Sequence, residues 1–166
     1  MVSNICMVGL LDKYTKDVTQ HVADMLEMYY TDVTDVMEYD FSDLVKAESI
    51  VGRDYIEKQE SGVVKTLSSY DNTIFSIKFS ILNNETNLGY VKNGCILIYL
   101  RLDEAAFNKK ISKEPLNRYE KSIAKKLYGE RDKILVSYAT IVADVSAAED
   151  EVEIILNKIE EYYEKR

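Results

Sequence analysis

Gly9 closes a short apolar run, Ile5 to Val8, in the way a buried parallel strand feeds a phosphate-binding turn. The chemistry of such a turn is specific. Glycines let backbone N–H groups approach phosphate oxygens, a lysine neutralises the outer phosphates, and a hydroxyl reaches the magnesium ion, in the pattern G-x-x-x-x-G-K-[ST]. Counted from Gly9, the second glycine falls at Tyr14, the lysine at Thr15 and the hydroxyl at Lys16. None of the three has the required chemistry, and Asp12 adds a negative charge where a triphosphate would lie. Lys13 and Lys16 are the cations at hand, each out of register: they read either as solvated loop lysines or as a rearranged anion clamp.

Further along, Asp32 and Asp35 have the spacing of a strand-end magnesium pair and equally of turn and helix-cap residues. Arg131 is the best single candidate for binding an anion, against the alternative of an ordinary salt bridge. His21, the sole histidine, has no second histidine or acidic cluster at ligand spacing and reads as a surface or packing residue. The tyrosines, among them Tyr29-Tyr30 and Tyr162-Tyr163, lack the basic groove a base-stacking platform needs.

The elements that must position these residues alternate between strand-length apolar runs and stretches of helical period, which predicts a parallel sheet covered by helices on both faces. Strands are expected at about Ile5 to Leu10, Tyr29 to Asp32, Thr73 to Phe79, Cys95 to Leu100 and Ala139 to Val145. Cys95 to Leu100 is continuously apolar and must be buried on both faces. Helical spacing is read over Tyr14 to Tyr29, near Phe41 to Ala47, over Tyr55 to Leu67 and over Asn84 to Lys92, with Asn93-Gly94 as a left-handed cap. A last helix is expected from Glu149 to Tyr163, capped by Ser146, and Pro115 is expected in a surface segment.

At 166 residues the chain is expected to be one domain with a core that needs neither disulfide nor metal. Its net charge of -8 argues against nucleic acid or an anionic membrane as main partner. No apolar run approaches the ~20 residues of a membrane span, and no leader pattern is read at the start; together with two cysteines placed in core-like runs, this leads us to expect a cytosolic protein.

Over nearly its whole length the chain resembles the shikimate kinases. Glu85 to Gly94 followed by Ile96 to Asp103 (ILIYLRLD) is similar to the helix, Asn-Gly and YLRL signature of that family; Lys113-Glu114-Pro115-Leu116 resembles the Arg-Pro-Leu of its mobile lid; and Leu127 to Val145 resembles its last helix and strand. The resemblance implies a three-layer α/β sandwich of the P-loop kinase type, its five-stranded parallel sheet in the order 2-3-1-4-5. It also implies a lid around residues 108–124, ATP and magnesium as cofactors if the family activity persists, and proximity of Cys6 to Cys95. The family's Asp-x-Asp pair falls at Asp32 and Thr34, its substrate arginine at Glu57 with Arg53 nearby, its Gly-Gly-Gly loop at Ile77-Lys78-Phe79, its lid arginine at Glu114, and a substrate-gripping arginine at Arg131.

Two functions follow from these readings. One is a relative of shikimate kinase without catalysis, kept as a binding or regulatory module that pairs with a protein partner or a second copy. The other is an active small-molecule kinase that uses Lys13, Lys16 and Arg131. Residues on both the nucleotide side (Gly9, Lys13, Thr15, Lys16, Asp32) and the substrate side (Thr34, Arg53, Arg131) are therefore the candidate site, and the departures on both sides favour the first reading.

Overall fold

The computed structural model describes residues 4–166. Its five strands are β1 Ile5–Gly9, β2 Tyr29–Asp32, β3 Thr73–Lys78, β4 Ile96–Arg101 and β5 Ile141–Asp144. They form one sheet in the order β2-β3-β1-β4-β5, every neighbouring pair parallel, as the resemblance implied. The two most continuous apolar runs become the adjacent strands β1 and β4, because only interior strands of such a sheet are covered on both faces.

Alternate residues of these strands feed two cores. Ile5, Met7 and Ile98 meet Val18 and Val22 of α1 (Asp12–Leu26) and Ile155 and Ile159 of α9 (Glu151–Glu164) on one face. On the other, Cys6, Val8, Phe75 and Tyr99 meet Val64 and Leu67 of α4 (Arg53–Ser68), Val91 of α6 (Glu85–Gly94) and Leu135 of α8 (Arg118–Tyr138).

Several boundaries depart from the sequence expectation. Helix α1 starts at Asp12, two residues early, a shift that decides the site below. The pattern read near Phe41 to Ala47 spans a break: α2 (Val33–Phe41) stops at Ser42, whose φ is 63, and α3 (Leu44–Val51) restarts under Asp43, which accepts the N–H of Lys46. Strand β3 ends at Lys78, and Phe79 opens the short α5 (Phe79–Leu82). Asn84 caps α6 from outside, and Gly94 is its last helical residue rather than a left-handed cap. Glycine is needed there for space, since a Cβ would stand 2.2 Å from the Ser68 carbonyl oxygen. Asp150, not Ser146, caps α9; the Ser146 hydroxyl donates to Asp144 and accepts the N–H of Asp103.

Residues 108–124 comprise the end of α7 (Glu104–Lys110), a 3₁₀ turn (Ile111–Lys113), a four-residue link and the start of α8. The segment is anchored: Phe107 and Ile111 are buried in the first core, and Asn117 and Glu120 form a reciprocal cap at the start of α8. Cys6 and Cys95 are free thiols, and burial pushes both upward, Cys95 to about 11.

Candidate functional site

The turn between β1 and α1 is only Leu10 and Leu11, and α1 winds through the positions where a phosphate loop would lie. The Thr15 N–H donates to the Leu11 carbonyl at 2.9 Å and the Thr15 hydroxyl to the same oxygen at 2.8 Å. Thr15 is buried inside the first helical turn, and a Cβ on Gly9 would stand 2.2 Å from its Oγ1. The close approach that a glycine grants to a phosphate is here granted to a threonine hydroxyl. What remains between Leu10, Leu11, Thr15 and Phe107 is a void of about 10 Å³, at the lower limit for one water.

Leu11 has no side chain to cap α1. The cap comes from a hundred positions away. Glu114 Oε1 accepts the Lys13 N–H at 2.9 Å and Oε2 accepts the Tyr14 N–H at 3.1 Å, and Glu114 is 7% exposed. The following Pro115 restricts Glu114 to extended backbone, observed at φ -77 and ψ 145. A carboxylate on two first-turn donors contributes about 1 kcal/mol as a cap, with a further ~0.3–1 kcal/mol from the helix dipole.

Beside this turn lies a cleft of about 380 Å³ whose walls include Asp12, Lys13, Lys16, Asp32, Thr34 and Lys78. The cleft is acidic, and its nearest lysines are engaged. Lys13 pairs with Asp17 at 2.8 Å and Lys16 with Asp35 at 2.6 Å. Partial burial opposes charge on Lys16, but the hydrogen bond to Asp35 and the fields of Asp32 and Asp35 outweigh it and raise its pKa. Asp32 is buried with both oxygens in use: Oδ1 accepts the Asp35 N–H as the cap of α2, and Oδ2 accepts the Ser76 hydroxyl. Desolvation leads the upward shift of its carboxyl, against those two hydrogen bonds. Asp12 keeps solvent-exposed surface, yet loss of water inside the cleft raises its carboxyl to about 6; Lys78 and Arg131 oppose the rise, and Glu114 and Asp32 add to it. Among the described residues no group of three or more His, Cys, Asp or Glu is arranged to hold a metal ion.

Lys13, Thr15, Lys16, Asp32 and Thr34 all line this cleft, and Gly9 lies behind Thr15. Arg53 does not join them: its guanidinium is spent on Glu48, Glu57 and Glu60 of its own surface. Arg131 lies over the Phe79 ring at 5.1 Å and, like Lys78 in the cleft wall, makes no ion pair among the described residues. Its sequence neighbour Asp132 is structural, accepting from Tyr99 and from two nitrogens of Arg101, which ties α8 to β4. Sequence reasoning did not single out Lys78 and Ser76, which line the cleft, or see Glu114 as the cap of α1. For Glu114 a signal existed: a helix opened by Leu11, a non-capping residue, leaves donors that something else must satisfy.

No helix among the described residues is long and apolar enough to cross a membrane. A family model described as shikimate kinase matches residues 16–162, beginning just after Thr15. A shikimate kinase from Aquifex aeolicus superposes with a TM-score of 0.77 at 24% identity, covering 96% of this chain and 98% of that one. The enzyme from Acinetobacter baumannii, solved with shikimate, superposes at 0.78 with 16% identity over 99% and 94%. The shikimate kinase from Bacteroides thetaiotaomicron gives 0.76 at 12% identity over 98% and 97%. No curated protein matches the sequence. Sheet order, helical layers and a family match over most of its length together place the chain in the shikimate kinase family.

Proposed function

We propose that this family member does not transfer phosphate and serves as a binding or regulatory module. The observation that carries this reading is Thr15, at the lysine position of the phosphate loop, folded into the first turn of α1 with its hydroxyl filling the space beside Gly9. ATP with magnesium does not fit the residues present. The β1–α1 turn is only Leu10 and Leu11, the Glu114 carboxylate holds two helix N–H groups, Lys13 and Lys16 are paired with acids, and both Asp32 oxygens are taken. Losing one preorganised charge-stabilising donor commonly costs ~10²–10³ in rate, and here the lysine, the glycine backbone and the magnesium hydroxyl are replaced together.

On the substrate side, Arg53 is neutralised by three carboxylates, while Lys78 in the cleft wall and Arg131, near enough to bear on Asp12, are the cations left for one small carboxylate or phosphate. A protein partner or a second copy is the natural user of a kinase-like body without kinase chemistry. The test is a coupled assay with shikimate, ATP and magnesium alongside thermal melts in the same buffer. We expect background turnover and no shift in Tm, because a ligand stabilises a fold only through occupancy of the native state. Turnover, or a Tm rising with ATP, would return the protein to the active kinases.

A further inference from the structure

We infer that Glu114 is a built-in latch, its carboxylate holding the link between the 3₁₀ turn and α8 against the start of α1, in the place a bound anion would take on the same donors. Four observations converge on it. First, the two oxygens reach consecutive N–H groups, those of Lys13 and Tyr14, at 2.9 and 3.1 Å, which is how a helix N-terminus holds a phosphate or carboxylate. Second, the contact is with the backbone alone, since the Lys13 ammonium is turned to Asp17. Third, Glu114 is nine-tenths buried although its neighbours Lys113 and Pro115 are exposed. Finally, its own backbone is pinned on both sides: its N–H donates to the Ile111 carbonyl at 3.1 Å and its carbonyl accepts the Leu116 N–H at 2.8 Å.

With the link's backbone pinned, the carboxylate leaves α1 by rotation about its own side-chain bonds, next to Pro115 in the cleft wall. Release of the latch therefore frees two N–H donors at once beside the cleft. The same N–H groups would then donate to a phosphate or carboxylate from outside. This inference rests on the reading above that nucleotide does not already occupy the start of α1, but its readout is separate.

The experiment follows the backbone amides of Lys13 and Tyr14 by NMR in the full chain. In the wild type we expect both amides to exchange slowly and to ignore inorganic phosphate. In Glu114→Ala we expect exchange at both to quicken about fivefold or more, the loss of one cap's free energy. Sodium phosphate should slow them again and shift their resonances, where sodium chloride at equal ionic strength does not. Wild-type amides that exchange without protection, or that respond to phosphate as the variant's do, would overturn the latch; so would a variant whose freed amides ignore phosphate. If the alanine variant fails to fold, the two wild-type measurements decide in the same way. ATP binding by a wild type with both amides protected would defeat the proposed function while supporting the latch.

Discussion

Replacing Gly9 by alanine should reveal that Thr15, and not a ligand, owns the space beside it. The new Cβ would stand 2.2 Å from Thr15 Oγ1, a distance Cβ atoms do not tolerate, and 3.4 Å from both Thr15 Cβ and the Leu100 carbonyl oxygen. Gly9 is not among the positive-φ residues, so the cost is steric and not conformational. Overpacking of this kind costs about 1–3 kcal/mol, or ~2–12 °C in Tm for a chain of this size. Thr15→Ala alone removes the buried hydroxyl bond to Leu11, worth about 1 kcal/mol, while the Thr15 N–H bond to the same oxygen survives. In the double variant the offending oxygen is gone and only the ordinary 3.4 Å contacts remain. It should therefore melt above Gly9→Ala and near Thr15→Ala, a favourable coupling of ~1–2 kcal/mol in a denaturant double-mutant cycle. Additive losses would refute this packing of the turn.

Asp12→Asn tests the electrostatics of the cleft. With its folded pKa raised to about 6, Asp12 contributes stability that is complete below ~4 and lost as pH rises through about 6, so the asparagine variant should flatten that part of a Tm-against-pH profile. Because solvent reaches the side chain, we expect a gain of only about 1 kcal/mol at pH 7.5; a variant no more stable than wild type there would contradict the assignment. Gly94→Ala should cost at least ~2 kcal/mol by driving a Cβ to 2.2 Å from the Ser68 carbonyl, whereas Gly62→Ala, mid-helix with nothing within 4 Å, should stabilise by ~0.5–1 kcal/mol, both read by denaturant melts. Restoring the phosphate loop with Asp12→Gly, Tyr14→Gly, Thr15→Lys and Lys16→Ser should leave shikimate phosphorylation at background in a coupled assay. The acceptor side still lacks positioning that can supply ~7–11 kcal/mol of barrier, so clear turnover would show an intact substrate pocket.

The sheet was legible because its signal is local and redundant: β1 and β4 each bury an unbroken apolar run, and only the middle of a parallel sheet covers both faces. Helix limits were less so, since spacing continues across a capped break such as Ser42-Asp43 and does not tell a left-handed glycine from one needed for close approach, as at Gly94. In the cleft, the motif positions singled out Thr15, Lys16, Asp32 and Thr34, and these line one wall system, with Gly9 packed behind Thr15. Lys13–Asp17 and Arg53–Glu57 are i,i+4 pairs that helical spacing allows, but spacing could not show Lys16–Asp35, whose partner sits on another helix and is chosen by reach in the fold. Least legible of all was Glu114. In sequence it is one charge reversed in a lid, and only the folded link carries it to the start of α1.

The most direct measurement of the central claim is calorimetric titration of the wild-type protein with ATP and magnesium. An α1 that begins at Asp12, with Thr15 inside its first turn and Glu114 on its leading N–H groups, predicts no saturable heat up to millimolar nucleotide. A saturable isotherm at micromolar affinity, corresponding to about -8 kcal/mol of binding, would contradict the account and place nucleotide where we find a threonine and a glutamate.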